Sequence, residues 1–458
     1  MKEFNDRGNV ERFVDRYAAT VRYTDGWGWM VYRQGTWERC EVGPIEQVTE
    51  TMDAIEEEIK EEMDEETQVA IRRWRHKCLS AGRIEAVMRL GRGSAALRAD
   101  AESFDRDPLL LNCKNGIIDL KTGDLRIHSP EHYCTGATGC MYVADAKAPT
   151  WDKFMKETCC GDEELVRELQ ESVGYSLTGL TSERAIFILH GTGANGKSVF
   201  LDTINELMGG YAAVMPPEAL MVRRGSATIP NDVAMMRGKR MVVTSESEEG
   251  SQLAIHMVKM MTGDHKLTAR FLHHEFFTFV PKFKIWFATN HMPRLRSVDD
   301  AIRARIRRVP FQNVVPRAEQ DTELLYKLKE ELPGILNWAV EGCLMWQARG
   351  RRLSQAKISF EASQSYMESQ DRLGRFLEEC VVFDEAARTA SRDLYTAYTR
   401  WCENEEKCRP LGHKAFSMAM QEQKSLEVVK TGGVKYWLYV ELRPDSAASL
   451  NPQREWYA

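Results

Sequence analysis

The run Gly191-Thr192-Gly193-Ala194-Asn195-Gly196-Lys197-Ser198-Val199-Phe200 carries the clearest chemical signal in the chain. Three glycines let the backbone turn its N–H groups inward around an anion. Lys197 adds a positive charge able to reach β- and γ-phosphates, and Ser198 a hydroxyl able to ligate Mg²⁺. The spacing G-x-x-x-x-G-K-S is complete, so Gly191, Thr192, Gly193, Ala194, Asn195, Gly196, Lys197 and Ser198 are expected to hold a nucleoside triphosphate.

Hydrolysis needs a carboxylate to orient water or hold the metal. Met241-Val242-Val243-Thr244-Ser245-Glu246 supplies one at a strand's carboxyl end, where open α/β sheets bind ligands. Glu246 is the first candidate, with Glu248 and Glu249 close behind. Ser245 stands where many such ATPases carry a metal-associated Asp, so metal binding leans on Ser198. A further apolar run, Phe283 to Thr289, ends in Asn290, an amide suited to hold water beside a γ-phosphate. Arg294, Arg296, Arg303, Arg305, Arg307 and Arg308 follow, against Asp299 and Asp300. One of these arginines could enter a neighbouring subunit's site, while ion pairs within the chain account for most of the cluster. Lys259, Lys266, Arg270, His273 and His274 form a basic element in which 268–272 and 275–280 can pair as a hairpin. That combination suits a sugar–phosphate backbone. The adjacent histidines lack the further ligands of a metal site.

These residues need a scaffold. The apolar run 185–189 reads as a buried strand, and 201–207 has helical spacing. Residues 181–315 alternate strand and helix, which predicts α/β architecture with a mostly parallel sheet. Upstream, 1–105 reads as an N-terminal α+β and helical module. Its aromatics, Tyr17, Tyr23, Trp27, Trp29, Tyr32 and Trp37, could stack on bases but more commonly form a small core. The acidic run Glu56–Glu66 reads as a solvated helix face. Residues 106–180 read as an Asn-Gly hairpin at 115–116 followed by two helices, the first capped by Thr150. Residues 316–371 read as helix interrupted at Pro333 and then a looser stretch from 350. Residues 372–458 read as helices, one capped by Ser391, then a hairpin with Gly432-Gly433 at its tip and Lys430 and Lys435 beside it. That is a winged-helix pattern.

With 458 residues and 43% apolar composition, the chain can bury several cores. No apolar run approaches membrane-spanning length, and the N-terminus lacks a signal-peptide pattern, so cytoplasm is expected. Eleven cysteines without a C-x-x-C pair suggest reduced thiols. A net charge of −6 means that any nucleic-acid surface is local.

The ordered set G-T-G-A-N-G-K-S, V-V-T-S-E, T-G-D-H-K-L-T-A-R-F-L and W-F-A-T-N-H-M-P-R-L-R resembles the phage and plasmid primase–helicases of helicase superfamily 3 and their poxvirus relative. Gly8–Tyr17 and Asn112–Leu125 resemble the region before that family's motor, so the likeness covers about residues 6–441. It implies a hexameric AAA+ ring that hydrolyses ATP and moves on single-stranded DNA, usually 3′→5′, within a bacterial host's cytoplasm. It implies Lys197 and Ser198 on ATP and Mg²⁺, Glu246 as the acid that also ligates Mg²⁺, and Asn290 as sensor. The basic hairpin would face DNA, and helices at 151–180 would form a collar. The arginine finger falls within A-I-R-A-R-I-R-R, with Arg305 preferred over Arg303 and Arg307. Longer members carry a primase before this region. The hundred or so residues ahead of Asp107 leave no room for one, so a helicase working with a separately encoded primase or polymerase is expected. The alternative is an ATP-regulated, origin-binding initiator that does not unwind.

Overall fold

The computed structural model describes residues 2–222, 231–245, 250–263, 266–270, 276–405, 410–424 and 426–444. Its contacts divide the chain into two compact units, residues 1–293 with 305–360, and residues 294–304 with 361–458.

The first unit is mixed α/β and is built on a five-stranded parallel sheet. We label its strands β1 (Ile186–His190), β2 (Ala212–Val214), β3 (Met241–Ser245), β4 (Lys284–Thr289) and β5 (Ile306–Pro310). Their spatial order is β5-β1-β4-β3-β2. All of β4 is buried, as is all of β1 except His190, which explains why their sequences are continuous apolar runs rather than alternating ones. The helix α1 (Lys197–Met208) follows β1 and buries Phe200, Leu201, Ile204 and Leu207 in the core beside the sheet.

Two helices precede the sheet, Pro149–Thr158 and Glu163–Leu177. Thr150 does not cap the first. It lies inside the helix, and Glu331 reaches across the chain to accept from the N–H groups of Thr150 (2.9 Å) and Trp151 (3.0 Å). A carboxylate at a helix N-terminus meets both the unpaired donors and the positive end of the dipole. The second helix crosses Leu332–Ala348 where glycine permits contact. A Cβ at Gly174 would lie 2.1 Å from the Cys343 nitrogen, and one at Gly342 would lie 2.1 Å from the Gln170 oxygen. Pro333 stands in that helix's first turn, where its missing N–H costs nothing.

The hairpin Leu110–Cys113 with Gly116–Asp119 forms as its Asn-Gly turn predicts, and Asp124–Arg126 adds a third strand. Further upstream, three antiparallel strands, Val21–Thr24, Gly28–Arg33 and Thr36–Cys40, pack with helices around Phe13, Trp29, Val31 and Trp74. The acidic run is not one helix face. Ala54–Glu58 is a 3₁₀ turn, and a new helix starts at Glu65, capped by Asp64. Glutamates of the run pair with the N-terminal helix Asp6–Tyr17, Glu58 with Arg12 and Glu57 with Arg16.

The stretch after Gly350 is more regular than its sequence suggests, because Lys357–Gln370 is helical. The second unit contains helices Arg372–Cys380, Ser391–Asn404 and His413–Lys424 around Phe376, Tyr398, Trp401 and Phe416. Ser391 is the first helical residue and makes no capping bond. The expected hairpin forms between Val428–Thr431 and Val434–Leu442, and a third strand, Val381–Ala390, pairs with the latter. No helix among the described residues is long and apolar enough to cross a membrane. All described cysteines except Cys40 and Cys160 are buried.

Candidate functional site

The glycine-rich loop leaves β1 at the carboxyl edge of the sheet. It turns through positive φ at Gly193 (111°), Ala194 (52°) and Gly196 (82°), the last being the N-cap of α1. Gly191 is fixed by space rather than by φ. A Cβ there would lie 2.0 Å from Asn195 Nδ2 and 2.3 Å from the Phe311 oxygen. Asn195 organises the turn from inside, being only 3% exposed. Its Nδ2 donates to the Phe311 carbonyl at 2.9 Å, and its Oδ1 accepts from Lys197 Nζ at 2.7 Å.

Lys197 is 6% exposed, and its ammonium also donates to the Gly191 carbonyl (2.8 Å) and to Asn290 Oδ1 (3.0 Å). Asn290 arrives there because of strand register. Thr289 on β4 pairs with His190 on β1, so the next residue of each strand, Asn290 and Gly191, emerges side by side. These three partners are neutral oxygens of the loop and of the neighbouring strand's end. The first turn of α1 adds N–H groups that have no intrahelical acceptor and the positive end of a dipole. Ser198, next along, is exposed. Cradle, cation, helix end and hydroxyl fit a polyphosphate with a hard divalent ion.

His190 shapes the floor of the loop. Burial first, then Arg308 and Lys197, push its imidazolium down to about 4. The neutral ring accepts from Arg308 Nη2 at 3.1 Å, tying β1 to β5 beneath the cradle.

The sequence candidates divide as follows. Gly191 to Ser198 and Asn290 come together. β3 ends at Ser245, opposite Ala288. Glu246, Glu248 and Glu249 lie outside the described residues, as do His273 and His274. Arg305, just before β5, donates from Nε to Thr262 Oγ1 at 3.1 Å. Arg307 bonds the Ser354 carbonyl at 2.9 Å and lies 3.8 Å from Glu183. Arg303 belongs to the second unit and pairs with Asp371 at 3.4 Å. Lys259 is half-buried in the helix Ile255–Met261, while Lys266 and Arg270 are exposed at either end of Leu267–Ala269. That short strand pairs antiparallel with Phe277–Phe279, forming the base of the expected hairpin. Reading the sequence missed the roles of His190, Arg308 and Asn195. Nothing in a motif's variable positions marks the one whose amide ties the loop to the residue after a strand more than a hundred residues away.

Three family models match in succession: D5 N terminal like over residues 10–160, a family of unknown function (DUF5906) over 189–308, and Poxvirus D5 protein-like over 368–437. A putative helicase of Acanthamoeba polyphaga mimivirus is 26% identical over 242 residues, covering 52% of this chain and 25% of that protein. A putative primase of African swine fever virus is 23% identical over 396 residues, covering 78% of this chain and 41% of the relative. The chain thus spans from a quarter to about two fifths of the length of these curated relatives. The apo structure of the NrS-1 C-terminal region shares the fold, with a TM-score of 0.54 at 10% identity, over 94% of this chain and 98% of that one.

Proposed function

We propose that this chain, a relative of the D5-like primase–helicases of large DNA viruses, is an ATP-driven DNA helicase that moves along single-stranded DNA during replication. The observation that carries the reading is the buried Lys197 ammonium, held by neutral oxygens of Gly191, Asn195 and Asn290 at a strand-to-helix turn. An ammonium at this turn is placed to donate to an anion that enters the loop. ATP is the nucleotide expected, with its γ-phosphate nearest Lys197 and Asn290. Ser198 and Glu246 would hold Mg²⁺, which supplies charge neutralisation at the phosphates when bound. Lys197 then exchanges amide oxygens for phosphate oxygens, which frees the Asn290 amide to orient water.

We read the unit around the five-stranded sheet as an AAA+ ATPase core that works as a homohexameric ring, with 3′→5′ polarity by analogy. The helices between 149 and 177 would serve as its collar. Arg305 is the finger reaching the neighbouring subunit, and its bond to Thr262 is to a neutral hydroxyl that a phosphate can replace. Lys259, Lys266 and Arg270 belong to the DNA-tracking element. The second unit is read as a winged helix whose tip meets phosphates. Lys430 and Lys435 stand directly opposite each other on its hairpin, an unfavourable like-charge pair that a phosphate between them relieves.

ATP hydrolysis with and without single-stranded DNA tests the proposal in wild type, Lys197→Ala and Arg305→Ala. DNA should stimulate wild type and leave both variants inactive, and a minor fraction of Arg305→Ala should poison wild type. Hydrolysis that ignores DNA, with a silent Arg305→Ala, would refute the motor.

A further inference from the structure

A cleft of about 380 Å³ opens within the first unit, away from the glycine-rich loop. Its walls include Trp27, Phe104, Arg237, Lys266, Phe279 and Lys282. Four separate stretches of sequence build it, one of them carrying Arg237. Trp27 comes from the turn between two strands of the N-terminal sheet. Phe104 is on the connection to the 110–119 hairpin, and Lys266 and Phe279 are at the base of the basic hairpin.

Arg237 is the unusual member. Its guanidinium lies over the Trp27 ring at 4.2 Å and over the Phe277 ring at 5.0 Å. It makes no side-chain hydrogen bond or ion pair among the described residues, although it is half-buried. Burial and the nearby Arg39 push it down to about 10, so it is still charged at neutral pH. Aromatic faces attract a cation but accept none of its five N–H donors. Trp27 Nε1 is likewise buried without a hydrogen-bond partner among the described residues. Glu102 and Asp105 also line the cleft, but neither carboxylate takes up the Arg237 guanidinium, whose N–H donors remain for a ligand.

The surrounding charges point the same way. Lys266, 64% exposed, has only a loose 3.7 Å contact with Glu102, itself 90% exposed. Lys282 donates to the Asp105 carbonyl, and the Asp105 carboxylate is taken up by Thr135. One residue before Phe277, Phe276 is 65% exposed with Arg270 over its ring at 4.9 Å. Consecutive residues near a strand project to opposite sides. Phe277 thus lies under Arg237, while Phe276 offers an open aromatic surface beside a cation. A guanidinium held only by rings, a loosely paired lysine and an exposed ring are the parts that hold a phosphodiester and stack its base.

We infer that this cleft, with Arg237 as its anion-binding residue, holds a phosphodiester of single-stranded DNA at the base of the basic hairpin. The inference rests on the motor reading only in requiring that the chain bind a single strand. The N-terminal module becomes a nucleic-acid contact in its own right, and Trp27 leaves the structural core for the binding surface.

The test is binding of a fluorescein-labelled thymidine 30-mer, followed by anisotropy across a salt series. Wild type is compared with Arg237→Gln, Arg237→Lys and the exposed Lys266→Gln. Loss of one phosphate contact lowers the slope of log affinity against log salt by about 0.7, and Arg237→Gln should also bind about tenfold more weakly. Arg237→Lys should retain the slope, and Lys266→Gln should show a smaller loss in the same direction. Melting temperatures separate this from unfolding, since Lys266→Gln removes no packed atoms. Unchanged affinity and slope in Arg237→Gln, with wild type binding normally, would overturn the cleft and leave the motor standing. Failure of wild type to bind the strand would overturn both. Equal competition by thymidine monophosphate or inorganic phosphate would make the cleft a small-anion site and refute the strand.

Discussion

Replacing Asn290 with Asp puts a negative charge where a neutral amide oxygen now lies 3.0 Å from Lys197 Nζ. Two unit charges at that separation attract by about 1.4 kcal/mol in the dielectric of water and by about 5.5 kcal/mol at an effective dielectric of 20. Asn290 is exposed while Lys197 is buried, so the solvated figure is the appropriate floor. A new partner for Lys197 must be displaced before the ammonium can meet a phosphate, which costs ATP affinity at least about tenfold. Repulsion between the new carboxylate and the γ-phosphate adds to that loss. Asn290→Ala has no such charge, and Lys197 keeps Gly191 and Asn195, so its affinity should stay within about threefold of wild type. Its turnover should nonetheless fall, because the amide that orients water is gone. The assay is displacement of a fluorescent ADP analogue by ATP with Mg²⁺, repeated at high salt, where the gap between the two variants should narrow. Wild-type affinity in Asn290→Asp would refute the placement of Lys197 as the phosphate-reading charge. Equal weakening in both variants would show that the amide's shape matters and its charge does not.

Two further predictions concern stability. In Gly191→Ala, the added methyl must displace Asn195 from Phe311, at a cost of about 1–3 kcal/mol, and thermal melting with nucleotide binding should both register it. An unshifted melting temperature would mean that the loop is held by something else. Burial raises the Glu168 carboxyl from 4.5 to about 7, so its stabilising contribution is intact below pH 4.5 and disappears as pH rises through about 7. That amounts to at most about 3 kcal/mol of stability lost at higher pH. His190, depressed to about 4, acts the other way and removes stability as pH falls from about 6.5 towards 4. Glu168→Gln should therefore melt higher than wild type at pH 8.5 and not at pH 5. Parallel melting curves across that range would refute the raised carboxyl.

The parts of the fold legible in the sequence are those fixed by local chemistry. Continuous apolar runs announced β1, β3 and β4, and Asn115-Gly116 announced its hairpin. Gly191, Lys197 and Ser198 marked the loop for which phosphate chemistry is proposed, because backbone freedom, charge and hydroxyl recur at fixed spacing. What escaped depends on distant partners. Glu331 caps a helix nearly two hundred residues earlier, which no local pattern around Thr150 can reveal. The helix Lys357–Gln370 hid because its apolar residues are too sparse to mark a face. Trp27 and Trp29, two residues apart, look alike in sequence. The latter is 4% exposed in the N-terminal core and the former lines a cleft. Only the chain's later return, bringing Arg237, separates them.

The order of strands in the central sheet has a consequence for how the protein comes into being. β1 occupies the interior of the sheet, between β5 and β4, although it is the first of the five to leave the ribosome. Its neighbours are made last, and the Phe311 carbonyl that holds Asn195 follows β5 directly. Contacts of such sequence separation close slowly, after a large entropy cost has been met. A nascent chain ending before residue 306 therefore carries every residue of the glycine-rich loop and none of its support on one side. If the loop grips a phosphate as proposed, that competence arrives at the end of the core's synthesis, so an unfinished core is also a silent one.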